Sequence, residues 1–254
     1  MLNEDRYILV LGSKPDSKLP DVKVDKIYSA NGAAERAANY KKKYSNIHHT
    51  ALIGSKEFTE NQNVKTRVIN SHPQRLFCRS GKIELPVVLK NCKLEFLTTK
   101  EQFSFQSKFY KFGALDILIG EILFYETNLI KLFKHTYACT SYRGFWGVAT
   151  GFYAILLALH ENPNSKIIVS GVGLVEGGHF YTSNNSYGYI SKRAQTSIKV
   201  GKKSIYNKFR NTSRCRVERY LISRMKSTFK NKILSVDNDM VKYGQVQKWN
   251  ENVF

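Results

Sequence analysis

The sequence predicts an α/β fold, Rossmann-like, with a mostly parallel sheet flanked by helices. Three observations predict it. Short apolar runs end at glycine, as Tyr7–Leu11 does before Gly12 and Lys166–Val169 does before Ser170-Gly171. Strand-like and helix-like runs alternate, the pattern of parallel βαβ units. An uncharged apolar helical stretch, Gly151–His160, stands between a Gly-rich loop and a strand. Folds of this kind hold ligands at helix N-termini, outside the C-terminal ends of strands.

The elements follow in order. Tyr7–Leu11 is a β-type run, and Gly12-Ser13-Lys14-Pro15 turns the chain. Lys26–Ser29 is a second strand, closed by Ala30-Asn31-Gly32. Ala33–Lys43, rich in Ala and Lys, is a helix; His49–Ile53 is a third strand, closed by Gly54-Ser55. Val64–Ile69 and Glu84–Leu89 are predicted strands, and periodicity leaves most of 70–110 unassigned. Ala114–Phe133 and Gly151–His160 are predicted helices, the latter with Thr150 as N-cap. Lys166–Val169 is a strand. Residues 182–213 lack apolar periodicity and read as a lid or acceptor loop. Arg216–Phe229 is an amphipathic helix and Lys232–Val236 the last strand. Residues 1–236 read as a single domain and 237–254 as a polar C-terminal tail, expected to be disordered unless Trp249 and Phe254 dock.

At 42% hydrophobic and 13% aromatic residues, the 254-residue chain is no disordered tail. Its net charge of +20 draws polyanions: nucleic acid, anionic lipid, sugar nucleotides or acidic glycans. Cys78, Cys92, Cys139 and Cys215 lack CxxC spacing, which predicts reduced thiols and no zinc site. Gly144–Leu159 is apolar but shorter than the ~20 residues a membrane-spanning helix needs. Gly113–Ile130 holds Asp116, Glu121 and Glu126. With no leader recognised at the N-terminus, the expectation is a cytoplasmic protein, with peripheral contact to an anionic membrane through its basic face.

Five constellations carry chemistry. Gly12, Ser13 and Lys14 follow a strand and suit a phosphate, although an ordinary turn explains them as well. Asn31 at the next strand end suits a phosphate or ribose, or an Asn-Gly turn. Thr150 and Gly151 open the apolar helix, where amide N–H groups favour an anion. Glu176, His179 and Tyr181 lie on a Gly-rich loop beyond a strand, the first two suiting an acid–base pair and the third a phosphate donor, although an inert surface-loop His explains the pattern as well. Arg210, Arg214, Arg216 and Arg219 surround Glu218, which they can hold ionised as a nucleophile or base. A solvated helix with local ion pairs accounts for the same arginines.

Taken together, YILVLGSKP, DKIYSANGA, VATGFYAILLAL, KIIVSGVGLVEGGHFY and RNTSRCRVERYLISRM resemble segments of a known family. The chain resembles the bacterial CMP-sugar glycosyltransferases of the sialyltransferase type, and more closely the related β-Kdo transferases of capsule and lipopolysaccharide assembly. Each segment is short; their order from residue 7 to about 236 is the more specific signal. The resemblance implies a sialyltransferase-like glycosyltransferase core, a CMP-activated 2-keto sugar acid as donor, a glycan acceptor, and no required metal or other cofactor. It places Gly12 and Ser13 near the donor phosphate and Asn31 near the nucleotide. Thr150 and Gly151 would meet the sugar carboxylate, Gly171 and Gly173 would line the cytidine pocket, and His179 and Tyr181 would face the reaction centre.

One departure matters. Sialyltransferases of this type carry a general-base His before the last long helix, and Thr212–Arg216 has none. The Kdo-type pattern of arginines with an acid is matched by Arg214, Arg216 and Glu218. That favours Kdo over sialic acid and leaves Glu218 and Glu176 as rival catalytic acids. Two other readings compete: a basic nucleic-acid-binding module, using Tyr187, Tyr189, Tyr206 and Phe209 among lysines, and a transferase fold serving as a scaffold. The Gly-ended strands and the apolar helix fit the transferase better, so no nucleic-acid partner is expected.

Overall fold

The computed structural model describes residues 6–14, 16–79, 83–124, 147–175 and 205–250, with the side chains of 56, 124 and 205–214 left aside. Its centre is a parallel sheet. β1 (Tyr7–Leu11) pairs with β2 (Lys26–Ala30), which leads through α1 (Ala34–Lys43) to β3 (His48–Ile53). Helices α2 (Ser55–Glu60) and α3 (Gln62–Asn70) connect to β4 (Arg75–Cys78), and β5 (Lys93–Phe96) forms that edge. The chain then returns across the sheet through α4 (Thr99–Ser107), α5 (Ala114–Phe124) and α6 (Thr150–Glu161). β6 (Lys166–Ser170) pairs with the far side of β1. Helices α7 (Ile205–Arg224) and α8 (Ser227–Lys230) precede β7 (Ile233–Ser235), and α9 (Asn238–Gly244) precedes β8 (Gln247–Lys248).

The strand order is β5-β4-β3-β2-β1-β6-β7-β8, and every pair is parallel. This is the expected Rossmann-like α/β architecture. The winding direction reverses between β1 and β6, and in open parallel sheets the ligand crevice lies outside the strand ends at that reversal.

Alternation within the strands buries both faces of the sheet. Ile8 and Val10, with Tyr28, Leu52, Phe77, Ile167 and Val169, face α6 and α7; Phe152, Leu156 and Val217 pack there. Tyr7, Leu9 and Leu11 face the other way, toward Ala33, Ala37, Tyr40 and Trp249. Each fully buried Leu, Ile or Phe contributes about 1.5–3 kcal/mol. Phe152 through Leu159 are all buried, so α6 is apolar on every side, as its sequence requires.

Four expectations are corrected. Val64–Ile69 is helical, because Asn61 accepts the amides of Asn63 and Val64 as an N-cap and Val64 and Val68 bury one helical face. Glu84–Leu89 is irregular backbone ending in a 3-10 turn at Val87–Leu89. Residues 205–213, assigned to a lid, belong to α7, which stops at Arg224, short of Phe229. The segment read as a tail from Asp237 carries α9 and β8 as far as Lys248, and Trp249 docks edge-on against Tyr7 with ring centroids 5.4 Å apart.

His49, fully buried on β3, lies 2.7 Å from Ser29 Oγ through Nε2. Burial, and then the Lys41 charge, push its pKa from 6.5 down to about 3. The unfolded chain takes up this proton near pH 6.5, while the fold resists it until about 3. The stabilisation is complete above that upper value and is lost as pH falls toward the lower, by up to about 1.4 kcal/mol per pH unit. Urea midpoints should therefore drop between about pH 6.5 and about pH 4, and His49→Gln should flatten that drop by about one proton.

Candidate functional site

At the β1/β6 reversal the two strand ends meet around two glycines. Gly12 donates its amide to Ser170 O at 2.8 Å, and Lys14 donates its own to Gly171 O at 2.9 Å. A Cβ at Gly12 would overlap the Gly171 carbonyl; one at Gly171, where φ is +80°, would overlap the Arg36 guanidinium. The two loops touch through backbone, so the close approach these glycines allow is to each other.

Arg36 reaches from α1 into this junction. Its guanidinium donates to Gly12 O at 3.0 Å, Ser17 O at 2.6 Å and Ser170 Oγ at 2.8 Å. Burial lowers its pKa, and the Asp237 carboxylate opposes that shift. The buried cation thus ties the loop after β1, the segment at Ser17 and the end of β6 together.

Lys14 is held just outside. Its ammonium donates to Asp239 Oδ1 at 2.6 Å and lies 4.0 Å from Asp237. Both acids also accept amides: Gly171 N to Asp237 at 2.6 Å, and Leu174 N to Asp239 at 2.9 Å. Gly173 sits against this pair, its would-be Cβ 3.4 Å from Asp239 Oδ2. Polar residues of the supposed tail therefore shape the β6 loop, and Arg219 adds a bond from Nε to Leu174 O at 2.7 Å.

The N-terminus of α6 enters the same edge. Three successive amides before it are taken by buried side chains: Gly147 N by Glu121 at 2.7 Å, Val148 N by Gln106 at 3.1 Å, and Ala149 N by Glu218 at 2.7 Å. Ala149 is the N-cap, and Thr150 is the first helical residue and caps nothing, which corrects its expected role. Thr150, Gly151 and Phe152 make the first turn, whose amides have no carbonyl one turn back to bond. Gly151 places that turn beside the other strand ends, its would-be Cβ 3.5 Å from Val172 and 4.0 Å from Ala30.

Behind Glu218 lies a buried polar shell. Arg79, 2% exposed at the end of β4, stacks on the Tyr153 ring at 4.2 Å. The Tyr110 and Tyr153 hydroxyls are buried without a hydrogen-bond partner among the described residues. Burial raises both phenol pKa values; the Glu218 charge adds to the rise at Tyr110, and Arg79 counters it at both. Both phenols stay protonated, as donors.

The structure thus brings Gly12, Gly171, Gly173, Thr150, Gly151 and Glu218 to one edge of the sheet, with Ser13 in the loop after β1. Asn31 begins a 3-10 turn at the end of β2 with φ 50°. Its Nδ2 donates to Glu57 at 2.6 Å and its Oδ1 accepts from Gly54 N at 3.1 Å, so it links two strand ends. Arg216 is exposed on α7 whereas Glu218 is 5% exposed, so the two point apart, as a two-residue helical spacing requires. Arg214 is in α7, its side chain outside the description; Glu176, His179 and Tyr181 lie outside the described residues. Sequence reasoning missed Arg36, Asp237, Asp239, Gln106 and Arg79. Only Arg36, a lone arginine in an Ala-rich helix, offered a signal.

Among the described residues no three His, Cys, Asp or Glu side chains are grouped to hold a metal ion. No helix among them is long and apolar enough to cross a membrane. No family model matches the chain, and no curated protein or solved structure matches it either.

Proposed function

We infer that this chain is a glycosyltransferase that moves a 2-keto sugar acid, Kdo, from a CMP-activated donor to a surface-polysaccharide or lipopolysaccharide acceptor in the cytoplasm. The observation that carries the reading is the meeting of the first turn of α6 with the ends of β2 and β6, beside the buried carboxylate of Glu218. The sequence resemblance supplies the donor class.

In this reading the amides of Thr150, Gly151 and Phe152 bind the donor's negative groups, where helix amides favour an anion. Departure of CMP leaves cationic character on the sugar and charge on the phosphate. Fixed amides meet the phosphate, so no divalent ion is needed. Glu218 is the catalytic carboxylate, and the amide of Ala149 holds it in place. Lys14 is committed to Asp239 and keeps the β6 loop in shape.

The test is release of CMP from CMP-Kdo and from CMP-sialic acid, with capsular and lipopolysaccharide acceptors and with EDTA present. Turnover of CMP-Kdo is expected. Turnover of CMP-sialic acid alone would move the donor assignment, and no release from either would overturn the reading.

A further inference from the structure

Helix α5, with the sequence ALDILIGEILF, is amphipathic in the inverted sense. Its carboxylates face inward: Asp116 is 0% exposed and Glu121 3%. Ile117 is buried and Leu118 packs on the core, but Leu115 at 53%, Ile122 at 38% and Leu123 at 63% face outward, and Phe112 just before the helix is 63% exposed. The orientation is locked. Asp116 accepts from Phe112 N at 2.8 Å, Tyr220 Oη at 3.2 Å and Arg224 Nε at 2.9 Å, while Glu121 accepts from Gly147 N at 2.7 Å. Gly120 lets α7 approach, with Tyr220 and Val217 at 3.3 and 3.4 Å from its would-be Cβ. Rotating the helix to hide Leu115 and Leu123 would break the bonds to Tyr220, Arg224 and Gly147.

A basic rim adjoins the exposed stripe. The 108–113 turn is bound to the end of α7 by Lys111 N to Arg224 O at 2.9 Å and Lys226 N to Phe109 O at 2.9 Å. The Arg224 guanidinium stacks on Phe112 at 4.8 Å, and Lys226 Nζ donates to Lys108 O at 2.8 Å. Lys108, Lys111 and Lys226 are exposed. Lys230 is close enough to Lys111 that, after burial, that neighbour's charge lowers its pKa. Asp116 lies beneath the rim, bonded to Arg224.

We propose that the outward face of α5, with Phe112 and the rim of Lys108, Lys111, Arg224, Lys226 and Lys230, docks on a lipid bilayer surface rich in anionic headgroups. Aliphatic side chains enter the headgroup boundary and the lysines meet the negative charge, the two contributions that interfacial binding combines. A second copy of the chain fits less well, because a two-fold contact would bring one basic rim toward another. Nucleic acid fits less well too, since the centre is aliphatic and offers little for bases to stack on. Net charge leaves the docking face open; α5 selects it, independently of the reaction assigned to the carboxyl edge.

The test is co-sedimentation of the full chain with phosphatidylcholine vesicles, with and without phosphatidylglycerol. Binding to the anionic vesicles is expected, with little to the neutral ones. The exposed double variant Leu115→Ser/Leu123→Ser should weaken it at least about tenfold with an unchanged melting temperature. Lys111→Glu/Lys226→Glu should weaken it similarly. The proposal is overturned if the wild type ignores anionic vesicles, or if the serine variant binds as well as the wild type. It is also overturned if the serine substitutions convert a dimer into a monomer in sedimentation velocity, since a second copy then covers the face.

Discussion

Replacing Arg36 with methionine is expected to lower unfolding stability by about 3–5 kcal/mol, the range for removing one partner from a buried charged network. Methionine fills much the same space, so the loss would come from polar groups. Gly12 O, Ser17 O and Ser170 Oγ would each lose a donor in a junction where backbone already touches backbone. Asp237 would lose a buried neighbouring cation. Lysine should restore only part of the loss, because one ammonium cannot reproduce the planar fork that reaches all three acceptors. Urea denaturation of the three proteins measures this. A Met variant within about 1 kcal/mol of the wild type would mean that water replaces the guanidinium without cost.

The second large effect is expected on turnover. Glu218→Gln keeps an oxygen to accept the Ala149 amide and nearly the same volume, so the fold and the start of α6 should survive. It removes the negative charge that would capture the sugar cation or take the acceptor's proton. Transfer from CMP-Kdo should fall by about 10³-fold or more, while CMP affinity changes by no more than a few-fold. The split is diagnostic: a purely structural Glu218 would lose stability and CMP affinity together when changed to Ala, and lose little activity when changed to Gln.

Much of the architecture could be read because it depends on local pattern. β1, β2, β3 and β6 are apolar runs stopped by Gly or Asn, and α6 is an unbroken apolar stretch between two Gly-containing loops. β4 and β5 escaped because they are four residues each and carry Arg75, Lys93 and Glu95. Those charges are satisfied across the fold, Arg75 bonding both Glu161 and Glu95, and no local pattern reports such a bond. Val64–Ile69 misled because β-branched residues favour strands, while the deciding feature was one Asn61 side chain.

The site was legible where it depends on glycine and on helix starts, and illegible where polar residues are buried to accept backbone amides. Asp237 and Asp239 look like tail residues, yet they hold Gly171 and Leu174. Asp116 and Glu121 look like the wet face of α5 but form its dry one. Glu218 was identified by its arginine neighbours, whereas its position rests on an amide 69 residues away.

The most direct test of the nucleotide site is a titration of ¹⁵N-labelled protein with CMP, followed through assigned amide resonances. The amides of Thr150, Gly151 and Phe152 should shift and saturate together, with Gly173 following. Saturating shifts confined to another part of the sheet, or no shift at these amides while a CMP-sugar is turned over, would contradict the account.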